Sequence, residues 1–217
     1  SFQSEGNLNM QMGLNNYSAE DVINKLDEKE LDKIFKFFGE EKESKFIARN
    51  IVKERLKKKI DTQILVEIIN KTKRKKNFKI HNATKVFQAL RILVNKEISE
   101  LIFGLINATK VLKKDGVLVV VTFHSIEDKI IKYYFKNYSS SRSKPSRYLP
   151  ENNENDLNLF ENYRNKIITA SDFEIKNNSP SRSAKLRYAT RSRKTFYTPN
   201  NLKIKFKKYI DLEKKYA

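Results

Sequence analysis

The chain has 217 residues, enough for one sizeable core or two small ones, and its 39% hydrophobic and 33% charged residues place it at the polar end of globular proteins. Its 45 Lys and Arg against 26 Asp and Glu leave a net charge of +19, which points to a polyanionic partner, nucleic acid first; a merely lysine-rich solvated surface is the plainer reading. The absence of Cys excludes disulfides, thiolate metal sites and a Cys nucleophile; two lone His, at 81 and 124, speak against a metal cluster, and no apolar run suits a membrane span or signal peptide, so a cytoplasmic protein is expected.

Residues 18–38 read as two short helices. Ser18 with Asp21 forms one capping box, Asp27 with Glu30 a second, and Gly39 ends the pair. A third helix, about residues 40–58, is expected to bury Phe46, Ile47, Ile51 and Val52 while Lys45, Arg49, Lys53 and Lys57 form a basic stripe. A fourth, residues 64–71, starts after Asp61 or Thr62, and a basic linker follows to residue 79. These elements make a small helical module.

Helical spacing resumes from 83 to 113 with a break near Asn95. Asp115 and Gly116 then turn the chain into the apolar run 117–123, whose β-branched composition predicts an interior strand of a parallel sheet, covered on both faces. Ser125, with Asp128 three residues on, is predicted to cap the next helix, whose inner stripe is Ile130, Ile131, Tyr134 and Phe135. Residues 139–156, rich in Ser, Asn and charge, predict a mobile loop. A short strand at 164–169, a helical turn at 171–177 and a final strand at 184–190 follow, then a tail in which Phe196, Tyr197, Phe206 and Tyr209 alternate with Lys.

Ligands of open α/β sheets gather at the carboxyl ends of strands, and His124 and Ser125 stand at that end of the apolar run. His124 is a candidate pocket residue or a satisfied structural one; Glu127 and Asp128 put carboxylates in the first helical turn. Gln88, Arg91 and Asn95 share a polar row on an apolar helix and either line a pocket or buttress one. Ser181, Arg182, Ser183, Lys185 and Arg187, extended by Arg191 and Arg193, combine guanidinium forks with hydroxyls, which suits RNA phosphate and sugar; a charged edge strand is the alternative.

Five segments carry a family likeness: SFQSEGNLNMQMG, FGEEKESKFIARNIVKER, VFQALRILVNKEISEL, LKKDGVLVVVTFHSIEDKIIKYYFK and SPSRSAKLR. In this order they resemble the bacterial RsmH (MraW) family of S-adenosylmethionine-dependent methyltransferases that modify N4 of a cytidine in 16S ribosomal RNA. The resemblance implies an α/β fold: the C-terminal part of a Rossmann-like class I methyltransferase core with an inserted all-helical substrate-recognition module. On that reading residues 1–17 lead into the insertion, 18–80 are the recognition module, 81–193 complete the core with a mobile loop at 139–163, and 194–217 form a basic-aromatic tail.

The resemblance further implies S-adenosylmethionine as cofactor, bound by a glycine-rich loop upstream of Ser1 rather than by this stretch, which would be inactive alone. It implies 16S ribosomal RNA in the small subunit as partner, with a homodimer as one option for assembly; no metal and no membrane partner are expected, on the composition already given. His124 and Ser125 would stand at the pocket rim, Arg91 and Asn95 behind it, and Arg182, Ser183, Lys185 and Arg187 on RNA. Where the family carries an LDMRMD-like segment, this chain has Asn9, Gln11 and Gly13 in place of its charges. Two rival readings are a noncatalytic RNA-binding adaptor and a helix-turn-helix DNA binder built on residues 18–58.

Overall fold

A computed structural model describes residues 8–13, 17–73, 81–140 and 158–216. They form two compact units: residues 1–99 with 207–217, and residues 100–206. The first unit is helical. Helices α1 (Ala19–Lys25) and α2 (Glu28–Phe38) start on the two expected capping boxes, with Ser18 and Asp27 each accepting from the backbone three residues on. Helices α3 (Ser44–Arg55) and α4 (Thr62–Thr72) follow, the latter capped by Asp61.

Helix α5 (Thr84–Val94) packs on α2 and buries apolar residues on almost every side, including Phe87, Leu90, Leu93 and Val94. That burial puts α5 in the helical unit, and the division between the two compact units falls inside α6 (Glu97–Val111). At the α2–α5 contact, Gly39 brings the two backbones together: a Cβ there would lie 2.5 Å from the Lys85 carbonyl oxygen. Phe35 and Phe38 fill the space behind it without exposure.

The basic stripe of α3 is exposed as expected, but Phe46 is exposed too. Small Ser44 and Ala48 join Ile47 and Ile51 on the buried face instead, letting α3 lie close to α2. The tail is not an independent arm. Helix α10 (Lys207–Tyr216) sets Tyr209 against Phe37 and Phe38 and buries Glu213, whose carboxylate accepts from the Ile98 and Ser99 amides at 2.9 Å each and caps the start of α6. The free N–H groups of a helix start offset part of the cost of burying this carboxylate.

The second unit holds a small antiparallel sheet. β1 (Val117–Thr122) pairs along its whole length with β4 (Lys185–Arg191), and the short β2 (Phe160–Glu161) and β3 (Ile168–Thr169) pair with the same β4, in the order β1-β4-β2. The expectation of a parallel interior strand at 117–123 is corrected on two counts. Its one hydrogen-bonded neighbour among the described residues is antiparallel, and Val117, Val119, Val121 and Phe123 are each about half exposed. The β-branched run specifies a strand, but not the direction of its neighbour.

Helix α7 (Ser125–Asn137) lies on the other face, with Ile126, Ile130, Ile131, Tyr134 and Phe135 buried. Phe160 meets Phe135 edge-on at 5.1 Å between ring centres and Tyr134 at 5.4 Å, and the Tyr134 hydroxyl donates to Thr109 at 2.9 Å. Most of the expected loop at 139–163 lies outside the described residues, but its last part is packed: Leu159 and Phe160 have no exposure. Helices α8 (Asp172–Asn177) and α9 (Asn200–Lys205) complete the unit, with a 3-10 turn at Ser179–Ser183 between α8 and β4. No helix among the described residues is long and apolar enough to cross a membrane.

Candidate functional site

β1 ends at Thr122, whose hydroxyl is tied to the Lys185 carbonyl, and the chain turns at Phe123 and His124 into α7. Here the structure moves the predicted cap by one residue. His124, not Ser125, is the N-cap: its Nδ1 accepts the Glu127 N–H at 3.4 Å, while the Glu127 carboxylate accepts from the Phe123 and His124 amides at 2.8 and 3.3 Å. The imidazole is nearly buried, and its Nε2 faces the other Glu127 oxygen at 3.4 Å. An Nδ1 that accepts leaves the proton of the neutral ring on Nε2. Ser125 becomes the first helical residue, half-buried beside this pair.

Asp128, freed from capping, turns to the sheet. Its carboxylate receives Arg187 Nε at 2.8 Å and Nη2 at 3.4 Å, with Lys185 Nζ at 3.5 Å. Burial pushes the Asp128 carboxyl up, but hydrogen bonding and charge from Arg187, helped by Lys185, outweigh it and hold the group below the usual Asp range. Arg187 also donates to the Tyr163 hydroxyl and the Asn165 side-chain oxygen Oδ1 at 3.2 and 3.3 Å. It is only 2% exposed.

That burial corrects the expectation for Arg187. Its guanidinium is spent on a core-facing knot joining α7, β4 and the segment at 163–165, not offered to RNA phosphate. Arg191 is likewise buried, donating to the Leu159, Ser192 and Lys194 carbonyls. Arg182 and Ser183, on the 3-10 turn, are exposed, and Lys185 is partly so. Three of the four residues predicted for RNA therefore remain accessible, along one end of β4.

Arg91 and Asn95 belong to the helical unit. Arg91 forms a two-pronged pair with Glu97, at 2.6 and 2.9 Å. Asn95 is the C-cap of α5; its amide donates to the Met10 and Arg91 carbonyls and its oxygen accepts the Met12 N–H at 2.7 Å. The segment at 8–13 is thereby fastened to the end of α5. Gln88, third in the polar row, donates to the Phe38 carbonyl. Asn95 and Gln88 buttress backbone, whereas Arg91 is held by a side-chain ion pair.

Sequence reasoning missed Tyr163 and Asn165, which fell in or beside an expected loop. It also passed over the signal for Arg187: strand alternation sets Lys185, Arg187, Ala189 and Arg191 on one side, and a buried Ala189 marks that side as inward.

Comparison with known proteins places these features in one lineage. The MraW methylase family matches residues 1–192. The chain is similar to the ribosomal RNA small subunit methyltransferase H of Agrobacterium fabrum, 45% identical over 196 residues that cover 88% of the chain and 56% of the relative. It is similar also to the protein of the same name from Rickettsia typhi, 42% identical over 191 residues, covering 87% of the chain and 62% of that relative. The chain thus spans less than two thirds of the length of these relatives, and the matched segments include the strand, cap and helix that hold His124. On this evidence the chain belongs to the MraW methylase family.

Proposed function

We propose that this chain is part of a methyltransferase that moves a methyl group from S-adenosylmethionine to N4 of a cytidine in 16S ribosomal RNA. The observation that carries the reading is the end of β1, where a strand delivers His124 into the cap of α7 and Glu127 fixes the ring. Family membership and the relatives' names support the reaction class. The exposed face of β1 supports a further layer packed on the sheet in the whole protein, as in a Rossmann-like core, because four half-exposed apolar side chains in register are costly to leave in water.

We assign the cradle for the methyl donor to the part of the whole protein that this chain does not span, and a different task to the described residues. Their contribution is to the acceptor. The N4 amine of cytosine is a poor nucleophile because its lone pair is delocalised into the ring. Acceptors that bind its hydrogens, such as the Ser125 hydroxyl and the Glu127 carboxylate, would hold the amine with its lone pair in line for attack. The target base must leave its stack, at a cost of a few kcal/mol, which contacts from Arg182, Ser183 and Lys185 to the flanking strand offset. Arg91 and Asn95 act as positioning residues within the helical unit.

The test is a chimera in which residues 1–192 replace the matched stretch of the Rickettsia typhi relative. It is incubated with small ribosomal subunits and methyl-labelled donor, and the RNA is digested to nucleosides. Label in N4-methylcytidine is expected, falling at least tenfold with His124→Ala. A cooperatively folded chimera that labels another nucleoside, or none, overturns the reading.

A further inference from the structure

Within the second unit, a cavity of about 350 Å³ opens between the end of α7, residue 158 and the approach to α9. Its wall holds two aromatic rings, Tyr138 and Tyr197, 6.2 Å apart and tilted by 57°, together with the amide side chains of Asn137, Asn158 and Asn200. The volume is at the lower end of small-ligand pockets. Much of the wall, from Tyr197 to Asn201, lies beyond the stretch matched to the family, and none of it belongs to the site at His124.

The chemistry of the wall is selective. Every lining side chain is neutral, so a cation finds no carboxylate and a phosphate no guanidinium or ammonium. Tyr138 is 6% exposed and backs the wall behind Tyr197; its hydroxyl is buried, with the Leu202 amide toward the oxygen and no acceptor for its proton among the described residues. Burial pushes this phenol up to about 12, so it stays a donor at any physiological pH. The half-exposed Tyr197 ring for stacking and amides that both donate and accept are what the face and edge of a nucleobase require. Exposed Lys136 and Lys203 stand one residue before Asn137 and two after Asn201, so the two chain segments that line the cavity also carry positive charge that a strand's phosphates would favour.

We propose that this cavity is a second RNA subsite that takes one unpaired nucleobase of a strand. The inference rests on RNA being the substrate, as proposed above, and adds a place where the strand is gripped away from the site of methyl transfer. A small carbohydrate would also like rings and amides, but it would not draw on the flanking lysines or the charge of the chain.

The probe is a short fluorescein-labelled oligouridylate, titrated against the full chain over a range of salt, and a 4-thiouridine version for photocrosslinking. Tyr197→Ala, at a half-exposed position, removes a stacking face, and Asn200→Asp, at an exposed one, introduces a negative charge without threatening the fold. Each is expected to weaken binding at least fivefold, Tyr197→Ala with the salt slope unchanged, as for the loss of one stacked base, and Asn200→Asp less so at high salt, as for an added charge repulsion. Crosslinks are expected in the peptides holding Tyr138 or Tyr197. Equal affinity of both variants, with crosslinks confined to other peptides, overturns the subsite. Methyl transfer by the chimera without oligouridylate binding by the chain sinks the subsite alone; subsite crosslinks without methyl transfer sink the catalytic reading alone.

Discussion

Arg187→Ala separates a structural arginine from an RNA contact. The guanidinium reaches Asp128 through two nitrogens and also holds Tyr163 and Asn165, all in a setting where Arg187 is 2% exposed. Removing one partner of a buried pair costs about 3 to 5 kcal/mol, because the other charge stays behind. Lys185, 3.5 Å from the same carboxylate, remains as partial compensation, so the lower end, about 3 kcal/mol, is expected. The assay is urea unfolding followed by circular dichroism, with Arg182→Ala as the exposed control, expected within about 0.5 kcal/mol of the parent.

Acid provides a second readout. The Asp128 carboxyl lies below its unfolded value near 3.8, so its contribution is full above that pH and is lost as pH falls through the folded value. The parent should therefore lose stability on acidification below about pH 4, and Arg187→Ala should lose less of it. An unchanged urea midpoint with RNA affinity cut tenfold would refute the structural assignment.

Gly39→Ala should destabilise the helical unit by about 1 to 3 kcal/mol, since a Cβ would press on the carbonyl oxygens of Lys85 and Phe35 at 2.5 and 2.7 Å; thermal melting checks it. Phe46→Ser should cost less than about 1 kcal/mol, against about 3 to 5 for Phe35→Ala, in the same urea assay. Burial raises the Glu213 carboxyl above its unfolded value, so this group binds a proton more readily in the folded chain and its contribution worsens as pH rises through that window. The stability difference between Glu213→Gln and the parent should accordingly shift in favour of the Gln variant from acid to neutral pH. Val119→Lys should lower self-association in sedimentation, because it breaks the exposed apolar face of β1.

Elements set by neighbours close in sequence were legible. The boxes at Ser18 and Asp27, the cap at Asp61, the break at Asn95 and the turn at Asp115 and Gly116 all depend on residues within one helical turn. What depended on distant partners was not. The pairing of β1 with β4 joins residues some seventy positions apart, as in Val117 with Thr190, and no local pattern reports its direction. Glu213 caps α6 from 115 residues away, and a Glu in a Lys-rich tail looks like solvated surface. Apolar spacing alone points Phe46 inward with Ile47 and Ile51; the close approach of α3 to α2 selects the small residues of the neighbouring face instead.

The misplaced cap of α7 shows how a distant residue decides a local choice at the candidate site. Both Ser125 with Asp128 and His124 with Glu127 have capping-box spacing, and propensity favours the first, since Ser is a strong N-cap and His is not. Arg187, 59 residues on, tips the balance by drawing Asp128 into the sheet; Glu127 then turns back to the Phe123 and His124 amides, and His124 takes the cap. The orientation of the imidazole is thus coupled to an ion pair on the inner side of α7. Arg187→Ala should release Asp128 to compete for the cap and leave the His124 ring in two environments. A doubled His124 ring signal in the NMR spectrum of the variant is the expected mark, and a single unshifted signal would show that the cap holds without Arg187.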